Sequence, residues 1–196
     1  MAMVRPLDDK QTADIGGPKL EYVMAGEGNP VVVLLSGYGA DIDTSWSRIF
    51  PEVKTISTVF AYNRFNYGNS DKVDVPQTGT AIIASLRSLL REKRLKPPYV
   101  LVGHSLGGVY VQLFTRQYPK EVAGVVLIDS AHPDQEEMRQ AQEGAIRRAT
   151  SGIIYWFDSV TYPRRHMEIT SFAETASQIR GSAVVSGYSA HCNLCW

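Results

Sequence analysis

A chain of 196 residues, 44% hydrophobic and 20% charged, has the composition of one water-soluble domain large enough to bury a sizeable core. Its 20 basic and 20 acidic side chains cancel to a formal charge of zero. No global field therefore favours nucleic acid or an anionic membrane, and a small molecule is the expected partner. The stretch from Met1 to Leu20 has no apolar signal core, and the longest apolar runs, residues 31–35 and 122–128, are too short to span a bilayer. A cytoplasmic protein with no membrane span is expected. Cysteine occurs only at Cys192 and Cys195, which is not a disulfide framework and lacks the second ligand pair of a metal site.

Taken in chain order, residues 19–25 alternate in polarity before the turn Gly26-Glu27-Gly28-Asn29-Pro30, and residues 31–35 follow as a continuous, largely β-branched run. The pair is predicted to form a hairpin that feeds a buried strand. Residues 58–62 read as another short buried strand, followed by a loop over 63–78 that contains Gly68, Asp71, Asp74 and Pro76. Between 80 and 95, Ile82, Ile83, Leu86, Leu89 and Leu90 fall at helical spacing, with Lys93 and Arg94 in the last turn and Pro97-Pro98 as the stop. A strand over 99–102, a helix over 106–118 ended by Pro119 and a strand over 122–128 come next. Such alternation predicts an α/β fold with a mostly parallel central sheet, right-handed crossovers and helices on both faces.

The centre of this pattern carries chemistry. Tyr99-Val100-Leu101-Val102-Gly103-His104-Ser105-Leu106-Gly107-Gly108 is a strand running into G-x-S-x-G and then a helix, the context of a nucleophile elbow. Glycine stands two residues either side of Ser105 because side chains at Gly103 and Gly107 would collide in so tight a turn. The turn lifts the serine hydroxyl above the sheet and sets the N–H of Leu106 at the positive end of the helix, where it can hold an oxyanion. A dinucleotide-binding turn is excluded, since Ser105 occupies the second glycine of G-x-G-x-x-G.

On these residues the chain resembles the α/β-hydrolase family over about Lys19 to Gln135. Leu34-Leu35-Ser36-Gly37-Tyr38-Gly39 resembles the family's oxyanion loop, with Ser36 where many members have histidine, and the resemblance implies the N–H of Tyr38 as second donor. Tyr62-Asn63-Arg64-Phe65-Asn66-Tyr67-Gly68-Asn69-Ser70 is similar to the loop D-x-x-G-x-G-x-S, from which Asn63 and Asn66 depart. Val125-Val126-Leu127-Ile128-Asp129-Ser130-Ala131-His132-Pro133 resembles the strand after the elbow helix and its exit loop.

The resemblance implies the chain order serine, acid, histidine. Of the four histidines, His104 lies inside the elbow and reads as a structural residue of the pocket wall, alongside Gly37. His132 follows the strand exit, and His166 lies in a basic, surface-like stretch. His191, after the strand-like run 183–188, matches the family's histidine loop and is the expected base. Asp129, directly after the strand that follows the elbow, is the expected acid, with Asp158 as the alternative. Residues 133–180 are expected to form a small helical cap inserted in a single domain spanning 1–196, with Tyr155 and Trp156 facing the substrate pocket.

The expected activity is hydrolysis of a carboxylic ester of small or medium acyl chain, with a small-molecule ester as partner and no cofactor or metal. Serine in place of aspartate at the elbow disfavours the epoxide-hydrolase and haloalkane-dehalogenase chemistries of related folds. The third of the chain beyond Asp129 is short for the cap, the last strands and the histidine loop, so an abbreviated or truncated hydrolase fold that only binds stays open as the rival expectation.

Overall fold

The computed structural model describes residues 6–132, 161 and 171–179. In it, β1 (Gln11–Asp14), β2 (Lys19–Ala25), β3 (Val32–Leu35), β4 (Val59–Tyr62), β5 (Tyr99–His104) and β6 (Val122–Ile128) form one sheet in the order β1-β2-β4-β3-β5-β6. β1 and β2 run antiparallel to their neighbours, whereas β4, β3, β5 and β6 are mutually parallel. The expected hairpin of β2 with β3 does not form. β4 lies between them, pairing antiparallel with β2 and parallel with β3, so the 26–30 turn is a crossover between non-neighbours.

Period-two alternation sorts the strand side chains onto two faces. Leu20, Tyr22, Val33, Leu35, Phe60, Tyr62 and Leu101 point to one core, which is covered by α3 (Gly79–Glu92), α4 (Leu106–Gln117) and the end of α5 (Phe172–Ile179). Val23, Leu34, Val59, Ala61 and Val102 point to the other, where α1 (Ile42–Trp46) and α2 (Phe50–Val53) contribute Ile42, Trp46 and Phe50. Helices thus cover both faces, as the alternation predicts.

Thr78 caps α3 by accepting the Ala81 N–H at 3.2 Å. The helix ends at Glu92, before the prolines expected to stop it, because Arg94 turns left-handed (φ 56°) and Leu95 N–H reaches back to the Leu90 carbonyl at 2.9 Å. Arg87 ties α3 to Glu121 in the 3-10 turn Pro119–Glu121 and lies over the Tyr118 ring, 3.5 Å from its centroid. α5 falls at the end of the segment expected to be a cap. It docks on the body: the Gly79 N–H donates to Thr175 Oγ1 at 3.0 Å, and Ala176 and Ile179 are buried. Residues 133–160 and 162–170, which hold the rest of that segment, lie outside the described residues.

Leu86 is fully buried between α3 and the sheet. Leu86→Ala is expected to lower stability by about 3 kcal/mol through lost transfer energy and a residual cavity, read as a reduced midpoint of urea unfolding.

Candidate active site

Where β5 ends, the backbone makes a turn that few L-residues tolerate. Ser105 has φ 51° and ψ −121°, a conformation costing about 1–3 kcal/mol, and α4 begins at the next residue. The tight spacing explains the flanking glycines: a side chain at Gly107 would overlap the carbonyl of Leu35 at the end of β3, and one at Gly103 would overlap the backbone of Gly107 and Gly108. Ser105 is also held by its own backbone. Its N–H donates to the Ile128 carbonyl at 3.1 Å, and its carbonyl accepts from Gly108 N–H and Ala131 N–H, each at 3.0 Å.

The exit of β3 runs past this turn. A Cβ on Gly37 would meet Ser105 Cβ at 3.1 Å and His104 Nδ1 at 3.3 Å, so a larger residue there would crowd both side chains. Tyr38 is half-buried against the larger core, and Leu106 is buried as the first residue of α4. Ser36 has a partner that sequence reasoning missed: its Oγ accepts the indole N–H of Trp46 at 2.9 Å. The Trp46 ring also meets His104 edge-on at 6.5 Å between centroids, and His104 Nδ1 is buried without a hydrogen bond. His104 therefore forms part of the wall beneath the loop. Arg64 was missed as well. Its Nη1 donates to the Ser36 carbonyl at 2.6 Å and its Nη2 to the Gly37 carbonyl at 2.8 Å.

Asp129 stands beside the elbow. β5 and β6 are parallel with His104 opposite Ile128, which sets Asp129 level with Ser105 at the carboxyl ends of the two strands. Asp129 also has a left-handed backbone (φ 42°), and both it and His132 are exposed. The expected base His191, the pocket residues Tyr155 and Trp156 and the alternative acid Asp158 lie outside the described residues. Among the described residues, no cluster of three or more His, Cys, Asp or Glu could hold a metal ion, and no helix is long and apolar enough to cross a membrane. An open hollow of about 540 Å³, lined in part by Met24, Glu27, Arg94 and Lys96, lies at the opposite, amino-terminal end of the parallel strands from Ser105.

The sequence profile of the alpha/beta hydrolase fold matches residues 30–148, more than half of the chain. The chain belongs to the α/β-hydrolase fold family. It is similar to the uncharacterised proteins YqjL of Bacillus subtilis strain 168 (30% identical over 109 residues, 56% of this chain and 43% of that one) and Rv2715 of Mycobacterium tuberculosis strain H37Rv (29% over 120 residues, 61% and 34%). It thus spans less than half the length of these relatives. Among solved structures it is similar to Epoxide Hydrolase A from Mycobacterium thermoresistibile (TM-score 0.58, 26% identity, 68% of this chain and 44% of that one). Another is lip1 from Acinetobacter baumannii AYE, a candidate lipase (TM-score 0.61, 18% identity, 87% and 62%).

Two departures from the α/β-hydrolase loop pattern acquire physical reasons. Asn63 stands where the pattern has aspartate, and its Nδ2 donates to the buried Glu21 carboxylate at 2.7 Å while its Oδ1 accepts the Ile42 N–H at 2.9 Å. A carboxylate could not make the first bond. Asn69 adds its backbone N–H (2.9 Å) and its Nδ2 (2.6 Å) to the same Glu21 carboxylate, which is thereby compensated by amides. Asn66 replaces a pattern glycine at φ 72°, and asparagine is one of the few side chains that occupies the left-handed region readily. The glycine retained at Gly68 leaves room for the Glu21–Asn63 contact, which a Cβ there would overlap.

Asn63→Asp would set two carboxylates against each other in a buried site. Urea unfolding is expected to show a loss of about 2–3 kcal/mol at pH 7.5. Repulsion raises the folded-state pKa of the pair, so the folded variant binds the extra proton more tightly than the unfolded chain, and the deficit relative to wild type should shrink as pH falls toward 5.

Proposed function

We propose that this chain is a serine hydrolase that cleaves carboxylic esters through an acyl-enzyme on Ser105. The observation that carries the reading is the strained serine at the carboxyl end of β5, with the Gly37 loop packed against its Cβ and α4 starting at the following N–H. A serine is a weak nucleophile until a base removes its proton. In this proposal His191 takes that proton as Ser105 Oγ attacks the acyl carbon, and Asp129 orients the imidazole. The N–H groups of Tyr38 and Leu106 hold the oxyanion. His191 then passes the proton to the departing alcohol, and water, deprotonated by the same histidine, releases the acid and restores the hydroxyl.

The epoxide hydrolases among similar structures raise a second chemistry, which the elbow residue disfavours. A serine opening an epoxide would form an ether that water does not cleave, whereas an acyl-serine is hydrolysed readily. Esters of small or medium acyl chain are therefore the proposed substrates, with no cofactor in the reaction. A cytoplasmic setting belongs to the same proposal.

The test is turnover of nitrophenyl butyrate together with labelling by a fluorophosphonate. Ser105→Ala should abolish both. His191→Ala should lower kcat by roughly 10³-fold or more, and Asp129→Asn by a comparable factor. Wild-type turnover no faster than that of Ser105→Ala would remove the ester-hydrolase reading and leave a binding role. Normal turnover in His191→Ala beside a dead Ser105→Ala would transfer the base to another histidine, His132 first.

A further inference from the structure

We infer that Arg64 is the positioning residue that aims the second oxyanion donor, an inference that rests on the ester-hydrolase reading and deepens it. Gly37 lies at the exit of β3, immediately before Tyr38. This residue passes so close to Ser105 that a Cβ would crowd the Ser105 and His104 side chains, and glycine stands there. Glycine leaves the following peptide plane without steric guidance, because it accepts both signs of φ and a wide range of ψ. The Gly37–Tyr38 peptide could then stand with its N–H or its carbonyl toward the nucleophile. Only the first stabilises an oxyanion; the second would repel it.

Arg64 removes that freedom. A trans peptide is planar, with its C=O and N–H pointing in opposite directions. Nη2 of Arg64 holds the Gly37 carbonyl at 2.8 Å, so the Tyr38 N–H of the same peptide is turned away from the guanidinium. Nη1 holds the preceding carbonyl, that of Ser36, at 2.6 Å, which fixes the next plane back along the loop. The planar fork is itself immobilised: Arg64 is 5% exposed, and its guanidinium carbon lies 4.8 Å from the Tyr67 ring centroid and 5.5 Å from that of Tyr110. Lysine could not reproduce this, since a single ammonium cannot span two carbonyls with fixed geometry. The full positive charge on the carbonyl side also polarises the peptide, making the Tyr38 N–H a stronger donor.

Four variants and two kinds of readout test this. Arg64→Met and Arg64→Lys should retain the wild-type KM for nitrophenyl butyrate within about threefold while kcat falls by roughly 10²-fold for methionine and less for lysine, the loss typical of one missing oxyanion donor. Arg64→Ala should recover about tenfold in kcat when guanidinium ion is supplied, and Leu86→Ala, a stability control, should not respond to guanidinium. A crystal structure of Arg64→Lys should show the Gly37–Tyr38 peptide in a rotated or mixed orientation. Unchanged kcat in folded Arg64→Met and Arg64→Lys, or an unchanged peptide orientation in the crystal, would overturn the inference. Should wild type and Ser105→Ala prove equally inactive on esters, the proposed reaction falls, and the crystallographic comparison still decides whether Arg64 sets the peptide.

Discussion

The turn at Ser105 is the constraint around which the rest of the described structure is arranged. A left-handed serine costs about 1–3 kcal/mol and persists only where its surroundings leave no alternative. Here they do so from three sides. The carbonyl of Ile128 accepts its N–H, the N–H groups of Ala131 and Gly108 donate to its carbonyl, and the Leu35 carbonyl leaves no room for a side chain at Gly107. β3, β5, β6 and α4 therefore meet at one point, and each is anchored by apolar burial on the two faces of the sheet. Val109, Val111, Leu113 and Phe114 of α4 are fully buried, and with β5 they supply far more favourable transfer energy than the turn consumes.

Elements with strong period or long apolar runs were legible in the sequence. β2, β6 and the start of α4 fall where alternation and turn residues predict them, because burial on one or both faces dictates their composition. β1, α1 and α2 were not foreseen. They are four or five residues long, too short to show a period, and α1 exists because Asp41 caps it and Ile42 and Trp46 pack under the sheet. The predicted hairpin of β2 and β3 failed for a different reason. Local turn residues report that the chain reverses, but neighbour choice depends on β4, which arrives later in the chain and inserts between the two.

The candidate site divides along the same line. The spacing of Gly103, Ser105 and Gly107 expresses a collision within a few residues of backbone, so the sequence alone reveals it. Arg64 and Glu21 act at a distance: Arg64 reaches carbonyls 27 and 28 residues earlier, and Glu21 meets Asn63 across 42 residues. Nothing in the local pattern marks these partners. The only local trace was the departure of Asn63 and Asn66 from the family's loop, and it becomes intelligible once Glu21 is seen beside Asn63 and φ 72° is seen at Asn66.

Those distant contacts form a chain of support that ends at the elbow. The Glu21 N–H donates to Ser70 Oγ, Ser70 Oγ donates to the Asn63 carbonyl, and the Asn63 N–H donates to the Glu21 carbonyl, so the loop after β4 is pinned to β2 at both ends. Arg64 projects from the pinned loop and holds the carbonyls beside Gly37. Burying an anion at Glu21 and a cation at Arg64 in adjacent positions of one fold is costly unless each is compensated. Both are compensated by dipoles, amide N–H groups for the carboxylate and backbone carbonyls with aromatic faces for the guanidinium. The carboxylate is thereby committed to holding Asn63 and Asn69, and the guanidinium to holding the carbonyls of Ser36 and Gly37. A direct Glu21–Arg64 pair would satisfy the charges equally well and leave the Gly37 loop without a guide. Dipole compensation therefore turns two expensive buried charges into the rigid outer support that a preorganised site requires.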